Sequence, residues 1–128
     1  MNKLFISCVV CAFVFLGGCS TYSSNTRVGT DTSYVSLEGQ RKAIKAVKVY
    51  KDLPLNSIVL GSVDAGRCHR ETNHVPPTNE NVILDLKIAA YSKGADGITN
   101  IEIDEQSGLT DNCWYVINGK AVMFELIQ

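Results

Sequence analysis

The sequence predicts a small single α+β domain with the element order strand, strand, helix, strand, strand. Stretches rich in β-branched residues, typical of strands, lie on both sides of one helical stretch. That stretch has a capping residue, Thr78 or Asn79, before it and Gly94 after it. About 110 residues follow the predicted leader, which is the size of one domain. We therefore expect one helix packed on a mostly antiparallel sheet, with one disulfide.

The first 19 residues have the three parts of a bacterial lipoprotein signal. Lys3 gives a positive start, and the apolar run over residues 4–16 is about 13 residues, too short for a bilayer span of roughly 20. Leu16-Gly17-Gly18-Cys19 then follows the branched, small, small, Cys order of a lipobox. We predict that residues 1–18 are a signal peptide that is removed and that Cys19 is acylated. The alternative is an ordinary cleaved signal, or a short anchor, with an incidental cysteine.

Residues 19–40 are predicted to be a lipidated cysteine followed by a flexible tether. Nine of the 17 residues over 20–36 are Ser or Thr, with no apolar periodicity, so this stretch cannot bury enough surface to fold alone. Ser20 directly follows the lipidated cysteine and resembles the sorting position of lipoproteins sent to the outer membrane. The expected location is the outer membrane, with the domain over residues 41–128 facing the periplasm.

The charge balance of the chain argues against a nucleic-acid partner. Removing residues 1–18 takes away only Lys3 among the charged residues, which leaves 11 basic and 13 acidic side chains. Nucleic-acid-binding domains are usually strongly basic.

A first strand is predicted over residues 46–50, because Val47 and Val49 alternate with polar neighbours and suggest one buried face. Basic residues lead into it, and we interpret them as charges that protect an edge strand from unwanted pairing. Contact with lipid phosphates or an acidic partner is the alternative. These residues are Arg41, Lys42, Lys45, Lys48 and Lys51.

A second strand, half or wholly buried, is predicted over residues 58–63, ending in a turn at Gly66 that carries Cys68. The polar, proline-containing stretch over residues 69–78 is expected to be an irregular loop. The helix should then run to Lys93, with Gly94 in the left-handed conformation.

The predicted helix has two apolar stripes. The first is the expected sheet-packing face and consists of Val82, Ile83, Leu86, Ala89 and Ala90. Leu84, Ile88 and Tyr91 form the second stripe at i, i+4 and i+7. This second stripe is a possible partner surface, and burial under the N-terminal tether or a loop is the alternative.

The third strand is predicted over residues 99–104, where Thr99 and two isoleucines alternate with polar residues. Two apolar runs then lie on either side of Asn118-Gly119. They form either a hairpin with a tight Asn-Gly turn or a single long strand with a glycine bulge at Gly119.

Two of the five cysteines are expected to form a disulfide. Cys8 and Cys11 leave with the signal peptide and Cys19 carries lipid, so Cys68 and Cys113 remain in an oxidising compartment, where such residues usually pair. Two free thiols, or a zinc site that adds His69 and His74, are the alternatives. No phosphate-binding loop or nucleophile elbow is present, so we expect no enzyme, no cofactor and no small-molecule substrate.

The order of elements and several short motifs resemble the RcsF-like outer-membrane stress-sensor lipoproteins and, more broadly, the YbjQ-like small α+β domains. The resemblance covers roughly residues 46–126. It is carried by Leu60-Gly61-Ser62-Val63 with Cys68 five residues later, by Lys93-Gly94-Ala95-Asp96-Gly97-Ile98, by Cys113-Trp114, and by Gly119-Lys120-Ala121-Val122.

This resemblance implies a non-catalytic sensor of envelope stress, acting through protein–protein contacts. Its implied partners are outer-membrane β-barrel proteins and an IgaA-like regulator in the inner membrane, upstream of a phosphorelay. Two other function classes remain open. One is a structural or accessory envelope lipoprotein that does not signal, and the other is a metal-binding or thiol-redox module.

Overall fold

The computed structural model describes residues 25–28 and 35–127. They form a small α+β domain of the predicted class, in which one helix packs on a mixed, mostly antiparallel sheet and a second helix packs on the first. The predicted signal peptide, the predicted acylation site Cys19, and residues 20–24 and 29–34 of the predicted tether lie outside the described residues.

The described chain contains two helices and five strands. The strands lie in the order β1-β3-β5-β4-β2, and their pairings are antiparallel except for the parallel pairing of β2 with β4. The elements are β1 (Asn25–Val28), α1 (Leu37–Ala46), β2 (Lys48–Val49), β3 (Ser57–His69), α2 (Asn79–Ser92), β4 (Gly97–Ser107), a short 3₁₀ turn (Leu109–Asp111) and β5 (Tyr115–Leu126).

Helix α1 and strand β1 were not predicted. The Ser36 side chain caps α1 by accepting a hydrogen bond from the Gly39 amide, and only Ala43 within the helix is fully buried. Few apolar residues mark this helix, so its stability depends on tertiary packing rather than on its own pattern. β1 pairs with the C-terminal end of β3. β1 lies within the predicted flexible tether and α1 begins within it, so the tether prediction is wrong at both elements.

The predicted first strand is shorter than expected, and its burial pattern is wrong. Only Lys48–Val49 is a strand, and it pairs in parallel with the start of β4. Val47 is buried, but Val49 is half exposed because β2 lies at the edge of the sheet. The two valines therefore do not share a buried face.

Helix α2 begins and ends where the sequence predicts. The hydroxyl of Thr78 accepts from the Asn81 amide, while the Asn81 side chain accepts from the Thr78 amide, which completes a capping box. At the other end Gly94 has a φ of 80°. The amides of Gly94 and Ala95 donate to carbonyls of the last turn, which is the Schellman arrangement.

One face of α2 packs on the sheet and forms the main core. Ile83, predicted on this face, is only half-buried, because it lies at the margin of the contact. The helix contributes Val82, Leu86, Ala89 and Ala90, and the sheet contributes Val63, Ile98, Ile117, Ala121 and Met123. A Cβ on Gly119 would lie 2.4 Å from the Val82 Cγ1 atom, so the glycine allows the helix to approach β5 closely.

The last apolar stretch is one continuous strand, not a hairpin. β5 passes through Asn118-Gly119 and pairs with β3 on one side and β4 on the other, with regular register at Gly119. The register shifts lie instead in β3, at Val59/Gly61, and in β4, at Thr99/Glu102. The glycine bulge considered for Gly119 is therefore absent from β5. The glycine instead allows the helix to pack closely on this strand.

The opposite face of the sheet is covered by the segment that follows β2. The Tyr50 ring packs edge-on against Phe124, with ring centroids 5.2 Å apart. The Thr99 hydroxyl donates to the Lys51 carbonyl oxygen at 3.2 Å. These contacts help to cover Phe124, which is completely buried.

Candidate functional site

A disulfide joins Cys68, near the end of β3, to Cys113, just before β5. The two Cα atoms are 5.8 Å apart, and both cysteines are buried beside Val116. This confirms the predicted pairing. It also removes both sulfurs from the zinc ligand set considered above, because a disulfide sulfur is not a thiolate.

The disulfide fixes the loop between β4 and β5, residues 108–114, which we call the Trp114 loop. The Cys113 amide donates to the Gly108 carbonyl at 2.8 Å, and the Trp114 amide donates to the His69 carbonyl at 2.8 Å. A Cβ on Gly108 would lie 2.6 Å from the Cys113 Cβ atom, so the two ends of the loop are in close contact. The covalent bond and the backbone bonds therefore hold the loop in one conformation on the end of β3.

Two large apolar side chains project from this rigid loop into solvent. Leu109 is 83% exposed and Trp114 is 64% exposed. An exposed tryptophan on a rigid support loses little conformational freedom on binding, and tryptophan is among the residues that contribute most energy at protein interfaces. Among the described residues, the Trp114 loop is therefore a candidate surface for binding a protein. The sequence signal for it was Cys113-Trp114, whose exposure could not be deduced from the pattern.

The two histidines lie near this end of the sheet but do not converge. His69 is buried and stacks on Tyr115, with ring centroids 5.0 Å apart, and its Nδ1 atom has no hydrogen-bond partner. His74 lies in the following loop, where its Nε2 atom is 3.5 Å from a carboxylate oxygen of Glu71. No cluster of three or more potential metal ligands occurs within residues 25–28 and 35–127.

The predicted partner surface on α2 is largely covered within the chain. Ile88 is only 7% exposed and Leu84 is half-buried, while Tyr91 remains at the surface. The cover is helix α1, since the Lys87 ammonium, on the same stripe of α2, donates to the Ile44 carbonyl. Ile88 is therefore not accessible to a partner, and the stripe packs against a helix rather than under the tether or loop that was the alternative.

The basic residues also lie elsewhere than predicted. Three of them, Arg41, Lys42 and Lys45, are on helix α1, and Lys42 forms a 2.9 Å ion pair with Glu38. Of these basic residues, only Lys48 lies in an edge strand, β2, so only Lys48 can protect that edge from unwanted pairing in the way the sequence predicts. Burial lowers the pKa of Lys87, and the positive charge of the nearby Lys48 lowers it further.

A buried ion pair connects the sheet to α2 in the same half of the domain as the disulfide. The Arg67 guanidinium, in β3, contacts the Asp85 carboxylate through both Nε and Nη2, with the second bond at 2.8 Å. The Asp85 side chain is 5% exposed, so the pair is shielded from solvent. This contact fixes the C-terminal half of β3, which carries Cys68, against the helix.

The N-terminal part of β3 is more exposed than predicted. Ile58, Val59 and Leu60 are 54%, 50% and 38% exposed, whereas the sequence predicted a half or wholly buried strand. Other exposed apolar side chains lie close to them in sequence or by backbone pairing: Leu53, Leu55 and Ile127. Hydrophobicity indicated the strand correctly but could not reveal that these side chains are exposed.

Within residues 25–28 and 35–127, neither helix has the length and apolar content needed to cross a bilayer. No protein-family model matches the chain, and no curated protein matches it significantly.

Proposed function

We propose that this protein is an outer-membrane lipoprotein of the RcsF-like type that senses or signals envelope stress through protein–protein contacts, without catalysis. The single observation that carries the proposal is the Trp114 loop, a disulfide-fixed loop with an exposed tryptophan and leucine. Its partners would be outer-membrane β-barrel proteins and an IgaA-like regulator of the inner membrane.

The N-terminal sequence supports the location. The lipobox ending at Cys19 provides the acylation site, and Ser20 favours transfer to the outer membrane over retention in the inner one. Acylation would place the folded domain in the periplasm, within reach of both proposed classes of partner.

The buried disulfide argues against a thiol-redox module. Thiol–disulfide exchange requires an attacking thiolate to reach one sulfur, yet Cys68 is completely buried and Cys113 nearly so. The bond is therefore placed to hold the Trp114 loop rather than to react.

Site-specific photocrosslinking in cells tests the proposal. A photoreactive amino acid at Trp114 or Leu109 should give crosslinks to a β-barrel protein or to an inner-membrane regulator. The control places the photoreactive amino acid at Val49, an exposed valine on the edge strand β2. This position should give no crosslinks to either class of partner.

Deletion of the gene then separates signalling from a structural role. A sensor requires that the deletion change the response of an envelope-stress reporter. Crosslinks without any change in the reporter would leave an accessory lipoprotein. An absence of crosslinks at both loop positions would refute the Trp114 loop as the binding surface.

A further inference from the structure

Strand β1 brings the N-terminal part of the chain to the same end of the domain as the Trp114 loop. Asn25, the first residue of β1, pairs with His69, the last residue of β3. On the other side of β3, His69 pairs with Tyr115, and its carbonyl accepts from the Trp114 amide at 2.8 Å. Two strand spacings therefore separate Asn25 from the Trp114 loop, which is about 10 Å.

The chain between Cys19 and Asn25 is too short to hold this end of the domain far from a membrane. Asn25 follows Cys19 by six residues, which span about 20 Å at most. The opposite end of the sheet, at Ser57, is twelve residues along β3 from His69, or about 40 Å. A domain standing on that end would need a linker about twice as long. If Cys19 is acylated, the Trp114 loop is therefore at the end of the sheet that can face the bilayer.

The end of the domain nearest the acylation site carries exposed apolar side chains. Leu109 and Trp114 project from the fixed loop, and Val75, in the segment that joins the end of β3 to α2, is 81% exposed. Tryptophan is enriched where proteins meet the headgroup region of a bilayer, because its ring is apolar and its N–H group is polar. A short linker also makes docking intramolecular, so a weak affinity of a few side chains for the bilayer is sufficient.

The charges near the loop indicate which lipid surface it fits. Residues 94–119 contain five acidic residues and no basic one. Three of the acidic residues, Asp104, Glu105 and Asp111, are exposed in the Trp114 loop or just before it. Arg70, which follows β3, is half-buried. An anionic bilayer would repel the three carboxylates, whereas a zwitterionic headgroup layer presents no net charge to them.

From the short linker and the exposed apolar end, we propose that Trp114 and Leu109 dock into the headgroup region of a zwitterionic bilayer, in the same membrane that holds the acyl groups of Cys19. The bilayer is then a second point of attachment, which holds the sheet end-on to the membrane. The opposite end, where Leu55 is fully exposed, faces away from the bilayer. This inference rests on the acylation of Cys19 that the proposed function assumes, and it places any protein partner of the loop at the membrane surface.

Fluorescence tests the docking directly, because Trp114 is the only tryptophan in the chain. The mature acylated chain, with acylation of Cys19 shown by mass spectrometry, is reconstituted in vesicles of phosphatidylcholine. A second set of vesicles contains phosphatidylcholine with brominated acyl chains, which quench a tryptophan only at short range. The emission of Trp114 should fall severalfold in the brominated vesicles relative to the unbrominated ones.

A matched variant moves the single tryptophan to the opposite end of the domain. It combines Trp114→Phe with Leu55→Trp, two exposed positions, of which Leu55 has no packing to lose. Its emission should be the same with and without bromine, because about 40 Å of sheet separates the two ends. Leu109→Asp adds a charge at an exposed position of the Trp114 loop, and it should weaken the quenching of Trp114 without lowering the thermal midpoint.

Equal emission of Trp114 in the two kinds of vesicle, in a chain shown to be acylated, would overturn the inference and leave the proposed function intact. Quenching of the double variant to the same extent would also overturn it, because the domain would then lie flat on the bilayer. Quenching of Trp114 only after addition of phosphatidylglycerol would overturn it as well, since a basic surface would then be the one that docks.

Two other outcomes separate this inference from the proposed function. A Cys19 without acyl groups would overturn both the inference and the predicted location. Because the vesicles contain no other protein, quenching of Trp114 together with an absence of crosslinks in cells would support the inference and refute the protein-contact function alone.

Discussion

Replacing both disulfide cysteines by alanine should strongly destabilise the domain. The Cys68–Cys113 bond joins residues 45 apart in sequence, and the loop-entropy estimate for a closure of that length is ~4 kcal/mol. Small domains have roughly 5–15 kcal/mol of total stability, so this is a large fraction. The double Cys68→Ala/Cys113→Ala variant is preferable to a single one because it leaves no buried free thiol.

Equilibrium unfolding in urea, followed by far-UV circular dichroism, measures the effect. With a urea dependence of about 1–3 kcal/mol per M, a loss of ~4 kcal/mol lowers the midpoint by roughly 1–4 M. The wild type in reductant, with both thiols shown free by labelling, should fall close to the double variant. The variant itself should not respond to reductant.

Equal midpoints for the oxidised wild type and the double variant would refute the reasoning. Such a result would mean that the native contacts around Gly108 and Val116 hold the Trp114 loop without the covalent bond. If the double variant kept its stability, crosslinks formed at Trp114 should also not depend on whether the disulfide is present. Photocrosslinking of the double variant in cells would test this.

Two further predictions concern packing between the helix and the sheet. Gly119→Ala should cost about 2–3 kcal/mol, in the upper part of the range for overpacking, because its Cβ would lie 2.4 Å from the Val82 Cγ1 atom. Gly94→Ala is the control: its Cβ would have no atom within 4 Å, and with a φ of 80° it should cost only about 1 kcal/mol of backbone strain. Thermal unfolding compares the two, and an equal loss in both would contradict the close-packing argument. Asp85→Asn should cost about 3 kcal/mol in urea unfolding, because it leaves the Arg67 guanidinium without its shielded carboxylate. A midpoint within error of the wild type would mean that water already compensates the Arg67 charge.

Local rules were sufficient where a structure is set by a few neighbouring residues. The start and end of α2 follow from hydrogen bonding by Thr78 and from the left-handed conformation of Gly94, which are local effects. The disulfide followed from counting cysteines in an oxidising compartment, without knowledge of the fold. These features were therefore correct from the sequence.

Rules of this kind failed where a pattern allows more than one outcome. Asn118-Gly119 is a strong hairpin signal, yet pairing with β3 and β4 on both sides keeps β5 continuous through it. Helix α1 contains few apolar residues and packs on α2, so its position depends on contacts between segments distant in sequence.

The sequence by itself determined the α+β class, the limits of α2 and the cysteine pair, because capping, turn conformation and cysteine count depend on neighbouring residues or on composition. Only the tertiary structure decided which apolar residues are accessible. Ile88 is buried where α1 packs on α2, whereas Val59 is exposed on β3 and Trp114 is exposed on a fixed loop. Accessibility depends on contacts between residues that are distant in sequence, and hydrophobicity alone does not specify those contacts.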